Sequence, residues 1–450
     1  MTVGKLHFLC TISLLSLVGC AGGNSITTTE YKSSIEVNRD LKSISNEIDD
    51  GSALWDIINR SDIQNRLVNL SELKYDIKRV EAELGLDVKG TADSGFSIEK
   101  SDITTAFNPA ITASKTIYDS GNSSRKVEIS RLNLEIAQLE TAQTINEKIA
   151  LAINAKLAEE HAASVYKYLI SFDKYYEKNK DKLDEAVQFG VVTKSKMLEL
   201  SQSLMSVDAK RIALEENLIN ADFLKSQSTS RDLGDINYNT NSHFKALEDG
   251  EIETTGLQVS ELKKKIADLH VLNAEGNNKL TVQGIGRLST STDSSDNETL
   301  GVFVGAQFVF PIYDSGRAAA EISSLGSVSD QLALSTSTIR DANFQERKVL
   351  KSQKKINKDK EMLLLKQLKE AKIKKELNED LIVSGQVNLS EIVMSVISEL
   401  ELKISLAENQ LNEILLDLEL YGKTGMACLM INLCEEIDQV INALDVDQDG

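Results

Sequence analysis

The 450-residue sequence contains only two prolines, one tryptophan, four cysteines and four histidines. So little proline leaves long helices uninterrupted, and an aromatic content of 5% beside abundant Ala, Leu, Glu, Lys, Ile and Ser points away from a conventional multi-domain enzyme. The scattered Cys and His form no cluster at zinc or iron–sulfur spacing, so no metal or other cofactor is expected. No Ser-His-Asp or Cys-His arrangement can be built, no glycine loop is suited to cradling phosphate, and catalysis is not indicated. Basic residues are outnumbered 50 to 69, and the resulting charge of −19 disfavours a nucleic-acid partner bound through a basic face.

The start of the chain indicates a compartment. Lys5 precedes an apolar run from Phe8 to Val18, shorter than the ~20 residues a spanning helix needs. Leu17-Val18-Gly19-Cys20 follows, and the whole resembles a bacterial lipoprotein signal. That resemblance implies removal of residues 1–19, lipid attachment at Cys20 and a lipidated tether over residues 20–34. Ala21, where an Asp would retain the protein at the inner membrane, implies sorting to the outer-membrane lipid.

Self-comparison reveals a duplication. Ile117-Tyr118-Asp119-Ser120-Gly121 recurs 195 positions later as Ile312-Tyr313-Asp314-Ser315-Gly316. In the same register Gly190, Val192 and Ser195 match Gly385, Val387 and Ser390, and Asn217, Ile219 and Asp222 match Asn412, Ile414 and Asp417. Three matched stations in one register indicate two copies of one structural unit.

Each copy has the same plan. A pair of strand-like segments precedes the repeated word: Leu280–Leu288 and Val302–Phe310 in the second copy, Leu86–Thr91 and Ile103–Ala113 in the first, where Pro109 interrupts. Val302, Val304, Ala306, Phe308 and Phe310 alternate onto one face suited to lipid, on strands near the ~9–11 residues of a membrane strand. A small soluble sheet fits the same lengths. After Gly121 and Gly316 the pattern stays helical to Gly190 and Gly385, long enough for rods of roughly 100 Å. Ile129, Leu132, Ile136, Leu139, Ala150, Ile153 and Leu157 form one seam on the first rod, interrupted by the polar Gln143 and Asn146, while Leu134, Ile145, Ile149 and Ala152 form a second. Two seams suit a helix flanked on both sides, as in a helical tube.

The tip glycines supply C-caps, Thr193 and Asn388 can cap the returning helices, and these are expected over Lys194–Lys225 and Leu389–Tyr421. Further helices are expected over Leu257–Ala274 and within Ile35–Leu84. The expected class is mainly α with a small transmembrane β part, in two tandem repeats at 35–225 and 257–421. An equatorial linker covers 226–256, and a C-terminal equatorial segment with an acidic tail covers 422–450. Two hairpins give four strands with two unpaired edges, which lipid does not tolerate, so other copies must close the sheet. Two copies give eight strands and three give twelve, with more room inside.

Tandem hairpins, Tyr-Asp-Ser-Gly junctions, long helices and glycine turns behind a lipoprotein signal resemble the TolC family of outer-membrane channels, over nearly the whole mature chain. Phe310-Pro311-Ile312-Tyr313-Asp314-Ser315-Gly316-Arg317 carries the resemblance most closely, whereas the first copy has Thr116 in place of Pro311. The resemblance implies a homotrimer with a 12-stranded barrel and a periplasmic α-helical barrel. It implies docking of a periplasmic adaptor protein and an inner-membrane pump, ABC or proton-driven, and export of small toxic molecules or secreted proteins. It also implies a tip constriction at Glu391, six positions after Gly385, although the next acidic position is Met394 and the first copy carries Lys196. Lys196 and Glu391 are expected to pair across adjacent helices. The competing classes are a structural coiled-coil lipoprotein and an adaptor, and two bilayer-length strand pairs with duplicated helices favour neither.

Three features stand outside this scheme. Asp445-Val446-Asp447-Gln448-Asp449-Gly450 matches half of a calcium loop without its bidentate Glu and is expected to be a solvated tail. Cys428 and Cys434 on one continuous helix would lie about 9 Å apart, so a disulfide requires a break between them. Lys351–Lys375 is strongly basic and is expected to be a solvated or adaptor-facing surface.

Overall fold

A computed structural model describes residues 53–99, 102–229, 253–292, 298–383 and 388–442. The expected signal, Cys20, the tether, most of the linker, Gly385 and the acidic tail lie outside the described residues. The first copy comprises helix α1 (Ala53–Ile58), helix α2 (Ser61–Ala82), strands β1 (Asp87–Glu99) and β2 (Asp102–Tyr118), and helices α3 (Asn122–Gln188) and α4 (Lys194–Ser228). The second repeats the order as α5 (Thr255–Asn277), β3 (Thr281–Thr292), β4 (Glu298–Val309), α6 (Arg317–Val383) and α7 (Leu389–Thr424). A 3-10 turn (Ala427–Met430) and helix α8 (Cys434–Asn442) follow.

The rods α3 and α6 are each 67 residues, roughly 100 Å at helical rise. Helices α4 and α7 return alongside them as 35 and 36 residues, slightly longer than the periodicity predicts. No described helix is long and apolar enough to cross a membrane.

The hairpins form one antiparallel sheet in the order β1-β2-β3-β4. The first hairpin is much longer than the sequence predicts, since pairing continues from Asp87↔Ser114 to Glu99↔Asp102. Pro109 does not end β2. It faces Ala92 in the β1 ladder, while the β2–β3 register omits Asn108 and Pro109, so the missing N–H interrupts one ladder only.

Among the described residues helical packing has two large centres and a small one, where Ile129 and Leu132 of α3 meet Leu269 of α5. A tip-side cluster joins Val165, Leu169 and Phe172 of α3, Leu200, Val207 and Leu214 of α4, and Val393, Val396, Ile397, Leu400 and Ile404 of α7. An equatorial cluster gathers α1, the start of α2, the Ile145–Leu157 stretch of α3, Leu418, Leu420 and Tyr421 of α7, and the apolar side of α8. The C-terminal segment is thus part of the core. The chain between Cys428 and Cys434 is the required break: the 3-10 turn ends, Asn432 adopts a left-handed φ of 55°, and α8 begins at Cys434. The Cα atoms approach to 5.0 Å and the two cysteines form a disulfide.

Candidate channel wall and tip

The repeated Tyr-Asp-Ser-Gly word has one local function in both copies. Asp119 accepts hydrogen bonds from Gly121 N (3.0 Å) and Ser123 N (2.7 Å), and Asp314 accepts them from Gly316 N (3.0 Å) and Ala318 N (2.8 Å). Each carboxylate brackets the first turn of a 67-residue rod, where free N–H groups and the positive end of the helix dipole favour it. The intervening residues turn left-handed, with φ of 58° at Ser120 and 82° at Gly121, and 57° at Ser315 and 81° at Gly316. Glycine takes that second position without a Cβ penalty. Burial works to raise the Asp119 carboxyl, but the bonds from Ser123 and Gly121 and the charge of Arg125 outweigh it and hold the pKa below the ordinary value. At Asp314 the backbone bonds from Ala318 and Gly316 depress it directly.

Tyr118 and Tyr313 take no part in the bracket and are exposed. Pro311 explains a difference between the copies. Where Thr116 pairs with Gln283 and lets β2 run on to Tyr118, Pro311 has no N–H to donate and β4 ends at Val309.

The sheet is two-faced. Strand alternation and the pairing register put Val88, Ile111, Ala113, Leu288, Val302, Val304, Ala306 and Phe308 on one side, interrupted by Lys115. The opposite side is mainly polar, carrying Lys89, Thr91, Thr112, Ser114, Gln283, Arg287, Ser289 and Gln307, with Ala110, Ile285, Phe303 and Val309 among them. An apolar outer and polar inner face is the pattern of a transmembrane barrel wall. Among the described residues β1 and β4 are open edges.

At the far end of the rods, Gly190 has φ of 72°, and Val191 N and Val192 N both reach Ala186 O. Thr193 Oγ1 accepts from Lys196 N, and Asn388 Oδ1 accepts from Glu391 N, so both expected caps exist. Lys196 Nζ stands 3.8 Å from Glu391 Oε1 and 3.2 Å from Glu199 Oε2. Both side chains are about a third exposed, so the pair contributes at most ~1 kcal/mol. They border a cleft of about 390 Å³ with Glu370 and Lys374 of α6 and Met394 of α7.

Sequence reasoning overlooks three groups. Arg125 donates to Ser120 O (2.9 Å), Asn122 Oδ1 (2.6 Å) and Asn273 Oδ1 (2.8 Å), and Asn122 donates to Asn277 Oδ1, fastening the start of α3 to the end of α5. The corresponding residue of the second copy is Ala320. Glu399 is buried between Lys403 (2.7 Å) and Lys375 (3.5 Å), and Lys375 lies over the Tyr175 ring. Burial works to raise the Glu399 carboxyl, but its lysine bonds and charges outweigh this and depress the pKa. Asn146, visible beforehand only as an interrupted seam, accepts a 2.7 Å bond from Cys428 N. Among the described residues no group of His, Cys, Asp or Glu could hold a metal.

No family model matches the sequence, and no curated protein resembles it closely. Solved structures do match. The CmeC outer membrane channel of Campylobacter jejuni superimposes with a TM-score of 0.65 at 13% identity, covering 95% of each chain. The outer membrane protein VceC of Vibrio cholerae gives a TM-score of 0.66 at 13% identity, covering 87% of this chain and 96% of its own. The open state of the Neisseria gonorrhoeae MtrE outer membrane channel gives 0.64 at 14% identity, covering 86% and 89%. The chain therefore has the fold of these outer-membrane channels, the fold that its resemblance to the TolC family implies.

Proposed function

We propose that the chain is one protomer of a trimeric outer-membrane channel-tunnel of the TolC family, which exports small toxic molecules or secreted proteins with a periplasmic adaptor and an inner-membrane pump. One observation carries this reading: a four-stranded sheet, apolar on one side and polar on the other, whose two edge strands are open. Unpaired edge N–H and C=O groups cost several kcal/mol each in hydrocarbon, so such a sheet enters a bilayer only when closed on other copies. Three copies supply twelve strands and a water-filled polar interior.

The duplication supports the same closure. Its halves already pair β2 with β3 and seat α7 on α3, and a rotation that repeats those contacts between chains joins β4 to β1 of the next copy. In this reading Cys20 carries the lipid anchor in the outer membrane, the rods cross the periplasm, and the Lys196–Glu391 pair sits at the tip constriction, near the turn glycines Gly190 and Gly385. Cargo passes without chemistry on the protein.

The decisive experiment measures the purified protein in outer-membrane extracts and planar bilayers. Heat-modifiable trimers that conduct ions support the channel; a monodisperse water-soluble monomer that never conducts overturns it. Comparing drug sensitivity and secreted proteins after deletion then separates efflux from type I secretion.

A further inference from the structure

The returning helix α4 carries two heptad seams. Leu200, Val207, Leu214 and Ala221 are buried within the chain. Leu198, Met205, Ile212 and Ile219, also seven apart, are 62%, 66%, 67% and 69% exposed. Four large apolar side chains in strict heptad spacing describe a helix face shaped for another helix.

The duplication says which helix. The residues of α7 that stand 195 positions after Leu198 and Met205 are Val393 and Leu400, and these are 0% and 4% exposed in the cluster with Val165, Leu169 and Phe172 of α3. The second-copy counterpart of α3 is α6. Helix α7 therefore uses on α3 the same face that α4 leaves uncovered, and the surface still unmatched is that of α6.

Register follows from the contacts inside the chain. Tyr168 of α3 and Leu400 of α7 line one cleft. Shifting the α3 residue forward and the α7 residue back by 195 sets Leu363 opposite Met205, and successive heptads along the antiparallel pair then set Ile356 opposite Ile212 and Val349 opposite Ile219. All three α6 residues are exposed. The same shift turns Ser171 and Lys403, which line that cleft, into Lys366 and Asp208, an opposite-charge pair. More broadly, Lys351–Lys375 holds ten lysines against three acids, while α4 exposes Asp208, Glu215, Glu216 and Asp222.

We propose that α4 of one copy docks on α6 of a second copy of this chain, with Met205 against Leu363, Ile212 against Ile356, Ile219 against Val349 and Asp208 facing Lys366. The basic stretch is then a self-assembly surface and not an adaptor-facing one. The proposal rests on the channel reading for the presence of several copies, and adds which faces meet and in what register.

Two differently tagged full-length chains, one bearing Met205→Cys and the other Leu363→Cys, are co-expressed and oxidised in isolated outer membranes. A disulfide needs Cα atoms within about 7 Å, so a reductant-sensitive band carrying both tags is expected. Gln353→Cys, about 15 Å along α6 at helical rise, should give no such band with Met205→Cys. In a second arm, Asp208→Lys should deplete the trimer and a compensating Lys366→Asp should restore it. Absence of the cross-link and of charge rescue, in membranes where the wild-type chain is a trimer by amine cross-linking, overturns the seam and leaves the channel standing. Cross-linking of Leu363→Cys to a protein of another mass overturns it in favour of an adaptor. A wild-type chain that is monomeric overturns both.

Discussion

Replacing Asn146 by Leu should detach the C-terminal segment without unfolding the rods. Asn146 is 3% exposed, accepts the Cys428 N–H at 2.7 Å, and donates to Ala142 O at 2.9 Å. Leucine leaves the Ala142 carbonyl with its helical bond, so the loss there is small. The Cys428 N–H, in contrast, stays buried with no acceptor, at a cost of about 1–3 kcal/mol. The cost falls on local opening of the 3-10 turn and α8, because leucine at this position extends the apolar seam of α3 and does not weaken it. Amide hydrogen exchange over residues 427–442 should accelerate roughly 5- to 150-fold, since about 1.4 kcal/mol is tenfold in an opening equilibrium. Exchange in the middle of α3 should not change. The Cys428–Cys434 disulfide closes a short loop, worth about 2 kcal/mol in the chain-entropy account, so reductant should accelerate the same amides further. Identical exchange in Asn146→Leu and wild type over these residues would show that the bond does not hold the segment, and the reasoning from an orphaned N–H would be wrong.

Other outcomes follow from the same structure. Asp119→Ala should lower stability by about 1 kcal/mol through loss of the α3 cap, measured by denaturant unfolding. Because the folded-state pKa of Asp119 is depressed, this contribution is present above the unfolded value of 3.8 and disappears as pH falls through the lower folded value; an Asp119→Ala deficit undiminished in acid refutes the assignment. Glu399 follows the same sign from its ordinary value of 4.5, so acid should loosen the contact among α3, α6 and α7, and Glu399→Gln, costing about 1–3 kcal/mol, should abolish that part of the acid sensitivity of thermal melting. Glu391→Ala should raise single-channel conductance with little change in stability, and an unchanged conductance removes Glu391 from the constriction.

The sequence exposes the large features because they are periodic or repeated. Two 67-residue helices follow from proline scarcity and continuous seams, and the duplication is readable from one five-residue word and two later stations. The caps at Thr193 and Asn388 follow from local chemistry alone. The first hairpin is under-read because Pro109 resembles a strand end, and only the three-dimensional register shows it interrupting one ladder of two. The long-range contacts of Arg125, Glu399 and Asn146 are invisible in advance because the partners Asn273, Lys375 and Cys428 lie 148, 24 and 282 positions away, and no local pattern links them.

The two halves of the duplication also differ in how corresponding faces are built. Inside the chain α7 rests on an aromatic face of α3, with Tyr168, Phe172 and Tyr175 lining the contact. Their counterparts on α6 are Leu363, Gln367 and Glu370, flanked by Lys366, a far more polar surface. The covalent link gives the α3–α7 contact a high effective concentration, so that face is seldom exposed to water once the chain has folded. In the proposed assembly the α6 face must stay soluble in a lone protomer until a second copy docks, and a contiguous Tyr and Phe stripe there would be an aggregation hazard. A few leucines and isoleucines ringed by lysine, set against a mate ringed by acids, keep the free protomer soluble and still select one partner in one register. Under the proposed α4–α6 seam, the basic Lys351–Lys375 stretch of this acidic protein serves assembly.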